Sequence, residues 1–337
     1  MGFFKSENKF PVRGRTVIIT GGSQGMGKAV AKELARKGAN VVVVARNVDK
    51  LRHALESIKA DAINPETQRF HYISADLTNP EESVRILLEV KVWNHDNPPD
   101  IVWCLAGSAR PGFFIETDVR QLRDGMDQNY WSAAYMAHAT LKEWLQLSSS
   151  PGSSTSQEPR HIVFTSSILA FFSMVGYTSY APTKSALRSL SDALSQELLA
   201  YNGARRKQGA VGPETDVKIH TVFPATIYSP GYEEENITKP TITKKLEESD
   251  EGQSEQEVAV ASIKGLERGE SLVTTTFIGS ILRGGALGGS LRNSWVLDTM
   301  LSWVASLVWI FFKPDMDRKV FKWGKENGHP ATLGTKS

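Results

Sequence analysis

The chain has 337 residues, 23% of them charged and 40% hydrophobic, with a formal net charge of +2. This is ordinary globular composition, which excludes wholesale disorder, collagen-like repeats and a global basic field that would call for nucleic acid. A single cysteine, Cys104, excludes a disulfide framework and a cysteine-based zinc site, so no metal is expected, and a mean hydropathy of −0.27 is too polar for a polytopic membrane protein.

The opening residues, Met1-Gly2-Phe3-Phe4-Lys5-Ser6, hold no long apolar core and no small-residue cleavage site, so they do not read as a secretory signal. Gly2 and Ser6 fit the loose N-myristoylation pattern; the alternative is a short polar arm over residues 1–13. A β-branched run at Thr16–Thr20 comes next. It leads into Thr20-Gly21-Gly22-Ser23-Gln24-Gly25-Met26-Gly27 and a helical pattern over 28–37. Glycines let the backbone approach a pyrophosphate and a helix N-terminus favours the anion. The turn therefore reads as a dinucleotide site built on Gly21, Ser23, Gln24, Gly25, Met26 and Gly27. The second strand is the VVVV run at 41–44. A carboxylate at its end would select NAD through the adenosine ribose, but Ala45 and Arg46 stand there. A guanidinium is thus available for a 2′-phosphate, and NADPH is the expected cofactor. Lys50, one helical turn on, can take the same part, and the alternative for Arg46 is a solvated surface side chain.

Further strands are expected at 71–74, 101–104, 162–165, 217–223 and 272–277, separated by helical stretches. Seven strands alternating with helices imply an α/β fold, a Rossmann-like doubly wound parallel sheet, with runs such as VVVV buried on both faces. Cys104 reads as a buried small hydrophobe. Residues 148–159 (SSSPGSSTSQEP) and 202–216 read as exposed insertions, and 226–257 as a highly charged loop between the sixth and seventh strands. In Tyr180-Ala181-Pro182-Thr183-Lys184, positions i and i+4 share one helix face. An ammonium beside a phenol favours the phenolate, lowering a pKa that starts near ~10, so Tyr180 is expected to exchange a proton with a carbonyl or alcohol.

The spacing Gly21-xxx-Gly25-x-Gly27, the Tyr180-xxx-Lys184 pair and Ser167 thirteen residues before Tyr180 make the chain similar to the short-chain dehydrogenase/reductase family, over about residues 14–277. The resemblance implies that Ser167 holds the substrate oxygen; its neighbour Ser166 points the other way on the strand. It implies that Asn129, in Asp127-Gln128-Asn129-Tyr130, holds a water that relays protons to Lys184. Asp76 and Leu77 would contact the adenine, with Ala106, Gly107, Pro224 and Thr226 along the cofactor and Lys184 also on the nicotinamide ribose. Where the family usually has Asn-Asn-Ala-Gly the chain reads Cys104-Leu105-Ala106-Gly107, which removes a usual contact of the fourth strand. Pro224-Ala225 replaces the usual Pro-Gly.

The FTSS…GYTSYAPTKSALRSLSDALSQEL stretch and the PGYEEEN…TKP run resemble the branch of this family that reduces a sphingoid ketone. That resemblance implies NADPH-dependent reduction of the C3 ketone of 3-ketodihydrosphingosine to dihydrosphingosine, at the endoplasmic reticulum. Glu233, Glu234 and Glu235 fall where this branch places a flexible substrate loop. One of them can pair with the substrate ammonium; the alternative is a solvated acidic run. Two other functions stay open: reduction of another lipid-like ketone, such as a steroid or retinoid, and an NADPH-binding protein without catalysis. A homo-oligomer, dimer or tetramer, is expected.

Residues 278–337 form an apolar and basic extension. The stretch 272–291, with Gly279, Gly284, Gly285, Gly288 and Gly289, is too Gly-rich to be read as a helix. Residues 295–312 are apolar apart from Asp298, and the uncharged part, 299–312, is fourteen residues, short of the about 20 that a span needs. On a helix, Asp298, Ser302 and Ser306 form a narrow polar stripe opposite a broad apolar face. Lys313, Arg318, Lys319, Lys322 and Lys325 follow. Trp303, Trp309 and the basic flank suit a membrane interface, with the catalytic part facing the cytosol; the alternative is a subunit-contact helix.

Overall fold

Consecutive apolar positions, as at 41–44, suit only strands covered on both faces. The computed structural model describes residues 7–145, 158–206, 214–248 and 250–327, and it uses these runs in that way. In chain order the elements are β1 (Thr16–Thr20), α1 (Gly25–Arg36), β2 (Asn40–Ala45), α2 (Val48–Lys59), β3 (Phe70–Ser74), α3 (Pro80–Trp93) and β4 (Ile101–Cys104). Then come α4 (Val119–Met126), a π-helical turn (Asp127–Trp131), α5 (Ser132–Trp144), β5 (Arg160–Thr165), α6 (Ala181–Ala204) and β6 (Val217–Phe223). The last part holds β7 (Ile227–Tyr228), α7 (Pro230–Thr238), α8 (Thr241–Glu247), β8 (Gln253–Ser254), α9 (Glu255–Glu267), β9 (Leu272–Thr274), α10 (Phe277–Ala286) and α11 (Trp295–Asn327).

Seven strands form one parallel sheet in the order β3-β2-β1-β4-β5-β6-β9, the doubly wound α/β fold expected. Strand alternation divides the core. Val17, Ile19, Val41 and Val43 pack against α1, α2 and α9. Ile18, Val42 and Val44 pack against α3, α5 and α6 on the other face. Each such side chain contributes about 1.5–3 kcal/mol on leaving water.

Four expectations are corrected. The helix after the glycine turn begins at Gly25, because the turn itself supplies its first residues. The last strand stops at Thr274, since the Thr276 side chain accepts from Gly279 N and caps α10. Residues 226–257 are not a bare loop: β7 and β8 pair, and α7 and α8 fold back between them. Residues 7–13 of the expected polar arm are not all solvated, because Phe10 is fully buried against Trp103 and His161. Gly2 and Ser6, most of 148–159 and the middle of 202–216 lie outside the described residues.

The C-terminal extension also departs from its sequence reading. The Gly-rich stretch is helical in part, as α10. A Cβ at Gly284 would sit 2.7 Å from Leu301 Cβ, and one at Gly285 2.8 Å from Ala305 Cβ, so the glycines admit α11 at close range. Asp298 does not belong to a solvated stripe. It is fully buried, accepts from Arg283 Nη2 (2.8 Å), Asn293 N (2.8 Å) and Ser294 N (3.2 Å), and so locks the α10–α11 hairpin. The outer face of α11 exposes Trp295, Met300, Trp303, Leu307, Phe311 and their neighbours, and the helix is long and apolar enough to cross a membrane.

A histidine pair closes the floor of the sheet. His220 Nδ1 lies 2.7 Å from Glu270 O, so it must donate; His220 Nε2 then accepts from His161 Nδ1, 3.0 Å away. That chain of bonds leaves His161 Nε2 buried with no partner and keeps both rings neutral. Burial pushes His220 down to about 4 and holds His161 well below its usual value, helped by His220. Unfolded histidines titrate near 6.5, so between about 4 and 6.5 the unfolded chain binds more protons, and stability falls as pH drops. Unfolding free energies from urea titrations are expected to decline from pH 6.5 to 4.5 by up to ~1.4 kcal/mol per pH unit for each ring. Replacing both (His161→Leu with His220→Leu) should flatten that slope; an unchanged slope assigns the pH dependence elsewhere.

Candidate active site

All seven strands point their C-terminal ends toward one edge, and the strand order reverses between β1 and β4. A crevice must open there. The observed cleft, of about 490 Å³, runs from the glycine turn past the ends of β4 and β5 to α7 and α8.

At one end stands the turn before α1. Gly21 has φ +70°, and a Cβ at Gly27 would collide with Gly21 O, so the loop and helix approach as only glycine allows. The first turn of α1 has no side-chain cap and no acidic residue, which leaves its N–H groups and positive helix end open to the cleft. These features fit a dinucleotide diphosphate. Ser23, Gln24 and Met26 line the same wall. Arg46 and Lys50 lie at the end of β2 and the start of α2, both exposed and both lining the cleft, and Lys50 Nζ donates to Gln24 Oε1 (2.8 Å). Asp76 accepts from Thr78 N and Oγ1 in a local turn beside buried Leu77. The contact expected to be lost at β4 is replaced from β1: Thr20 Oγ1 accepts from Leu105 N (2.9 Å) and Ala106 N (3.1 Å). Cys104 is buried, its thiol pushed up to about 12 by desolvation, as a small hydrophobe should be.

Asn129, Ser167, Tyr180 and Lys184 come together at the centre. Tyr180 occupies the N-cap of α6 and Lys184 its first turn. Lys184 Nζ lies 5.5 Å from the phenol ring centroid and donates to Thr165 O (3.0 Å). The ammonium is only 4% exposed, and burial pushes it down to about 8. Asn129 sits in the π-helical turn, 1% exposed, exchanging bonds with the Ser108 backbone (3.1 and 2.9 Å). Gly107 separates the two: a Cβ there would lie 2.5 Å from Asn129 Oδ1 and 3.4 Å from Lys184 Nζ. Ser167 hydrogen-bonds Tyr180, whereas Ser166 Oγ donates to Lys184 O (2.9 Å) and so anchors α6. Pro224 O accepts from Ile168 N (3.0 Å), and Pro224 and Thr226 line the cleft floor.

The Tyr180 phenol is not acidified as its spacing from Lys184 suggested. Burial raises its pKa, the Glu235 charge raises it further, and the Ser167 bond opposes them. Desolvation outweighs an ammonium that is engaged by Thr165 O.

Of the three acidic candidates, Glu234 and Glu235 line the cleft and Glu233 does not. Sequence reading missed Tyr177, Lys239, Glu247 and Asp250. Tyr177 Oη donates to Glu247 (2.8 Å) and Glu235 (3.2 Å), while buried Lys239 meets Glu247 (2.6 Å) and lies 3.9 Å from Glu235. One lysine thus faces two carboxylates, and Glu235 is held above its usual range by burial. Leu169, Phe172 and Met174 form an apolar wall opposite.

Comparison with known proteins agrees with this geometry. The family model described as short chain dehydrogenase matches residues 15–230. The 3-ketodihydrosphingosine reductase of Aspergillus fumigatus is 54% identical over 329 residues, covering 96% of this chain and 89% of that one. The 3-ketodihydrosphingosine reductase of Neurospora crassa is 45% identical, covering 98% and 88%. Among solved structures, a short-chain dehydrogenase from Sphingobium yanoikuyae in complex with NADPH has a TM-score of 0.61 at 21% identity, covering 78% of this chain and 88% of that one.

Proposed function

The chain belongs to the short-chain dehydrogenase/reductase family, and we propose that it reduces the C3 ketone of 3-ketodihydrosphingosine to dihydrosphingosine with NADPH. The observation that carries this reading is the placement, in one cleft, of the Tyr180 phenol and of Glu235, a carboxylate 3.9 Å from a lysine that is held more closely by Glu247 (2.6 Å). A ketone with an ammonium on the adjacent carbon matches that pair. Reduction needs Tyr180 as an acid, and its raised pKa keeps the proton on the phenol at neutral pH. A different lipid ketone without the amine would leave Glu235 buried and unused.

In this reading the uncapped start of α1, with Gly21 through Gly27, holds the cofactor diphosphate, and Asp76, Leu77, Ala106 and Gly107 flank its adenosine half. Arg46, with Lys50, takes the 2′-phosphate. The cofactor supplies the hydride. Ser167 Oγ and Tyr180 Oη hold the ketone oxygen, and Tyr180 gives it a proton as the carbon is reduced. Lys184 and Asn129 stand on the side from which the phenolate is reprotonated. Glu235 takes the ammonium, which cancels the charge that otherwise opposes the phenolate. Phe172 and Met174 cover the start of the alkyl chain. In this reading the chain sits on the endoplasmic reticulum membrane with the cleft on the cytosolic side, and the exposed apolar face of α11 supports the membrane contact.

Tyr180→Phe keeps the ring and loses the proton donor, so kcat should fall about a hundredfold to ten-thousandfold while NADPH binding, read by fluorescence, survives. Substantial residual turnover would sink the assignment. A charged contact to a phosphate is worth ~1.5–3 kcal/mol, so Arg46→Ala should cut the preference for NADPH over NADH about tenfold or more. If preference is unchanged, Lys50 reads the phosphate. Glu235→Gln should raise KM for the amino ketone and leave KM for a des-amino analogue unchanged; equal rises in KM on both would give Glu235 a purely structural role. The full-length chain should float with vesicles in a density gradient, and a chain left at the bottom contradicts membrane attachment.

A further inference from the structure

We propose that the rim of the substrate cleft itself rests on the bilayer, so that the lipid ketone passes from the membrane directly into the cleft. This rests on the reading of α11 as a membrane-contacting helix and extends it to three other elements.

The inner stripe of α11 packs along the body of the protein and touches the cleft wall instead of leaving the fold. Near its start it packs on α10 through Asp298, Leu301 and Ala305. Midway, Trp309 meets Phe172 of the cleft wall, with ring centroids 5.9 Å apart. Met316 is buried, and near the far end Trp323 stacks on Phe113 at 5.8 Å. Phe172, which lines the cleft, and Phe113 belong to the segments after β5 and β4. A helix seated along its length in this way runs beside the cleft wall, with its other face outward.

Exposed apolar side chains from separate elements lie near the cleft. Ile115 (74% exposed) and Phe114 follow Phe113 directly. On α7, Ile237 is exposed one helical turn after cleft-lining Glu234. On α10, Phe277 and Ile278 are exposed beside Gly279, where a Cβ would lie 3.5 Å from cleft-lining Ile168. Together with the Trp- and Phe-rich outer face of α11 they make a rim too apolar for water. The charge at the end of α11 favours a lipid surface over a second copy of the chain. Residues 313–326 carry five basic groups against three acidic ones. Aromatic and basic side chains on one surface fit an anionic leaflet.

Cys104 is the chain's single cysteine and is buried, so one introduced thiol can be labelled selectively. Full-length Ile115→Cys, Ile278→Cys, Val308→Cys and Val92→Cys variants would each carry an environment-sensitive fluorophore. They would be mixed with phosphatidylcholine–phosphatidylserine vesicles containing a nitroxide-labelled lipid. Val92, 75% exposed at the C-terminal end of α3, lies toward the edge where strands begin and serves as the control. Blue shift and quenching at Ile115 and Ile278 as well as Val308, with Val92 unaffected, is the expected result. Quenching at Val308 alone overturns the rim and leaves α11 as a simple attachment. Quenching at no site, with no flotation, removes the membrane reading beneath it. A blue shift at Ile115 that grows with protein concentration in the absence of vesicles assigns the rim to a second copy and overturns the proposal.

Discussion

Strands buried on both faces have no surface to offer, so chemistry can be placed only where they end. Because all seven are parallel, those ends share one edge, and the helices that cover the faces start there. Every candidate group reaches the cleft from that constraint. The turn before α1 presents N–H groups, Thr20 holds the end of β4, Ser167 follows β5, and α6 begins at Tyr180. Shifting a strand by one residue would turn its apolar side chains to the wrong cluster and move its terminal polar group away from the cleft.

Within the cleft, desolvation decides the protonation states. Lys184 is buried with a backbone carbonyl as acceptor, and burial and the Glu235 charge raise the pKa of the phenol beside it. Its balance also depends on the folded-back α7–α8 segment, because Glu235, Lys239 and Glu247 come from there and Tyr177 from the main body. The position of that segment and the proton affinity of the phenol are therefore linked through Glu235.

The C-terminal hairpin shows how a buried ion pair and three small residues can seat an apolar helix. Arg283 and Asp298 fix the hairpin's angle, and Gly284, Gly285 and Ala305 let the two backbones approach. The first half of α11 turns Asp298 inward and leaves mostly apolar side chains outside. The same seating brings Trp309 to Phe172 of the cleft wall and Trp323 onto Phe113.

By itself the sequence determined the sheet and the glycine turn and brought Tyr180 and Lys184 together, since these follow from local periodicity or spacing: continuous apolar runs, glycines between strand and helix, Tyr and Lys four apart; Ser167 and Asn129 were reached only through the family resemblance. Boundaries such as Thr274, set by the Thr276 cap, needed hydrogen-bond geometry. Only tertiary structure decided the rest. Asp298 looked solvated because its partner, Arg283, lies fifteen positions away on a segment whose glycines argued against a helix. Glu247 and Lys239 were invisible as site residues because a charged loop carries no period that shows how it folds back. The phenol's raised pKa was likewise out of reach. A spacing of four places a lysine near a tyrosine, but burial and a carboxylate from a distant helix, both properties of the packed chain, set the proton's energy.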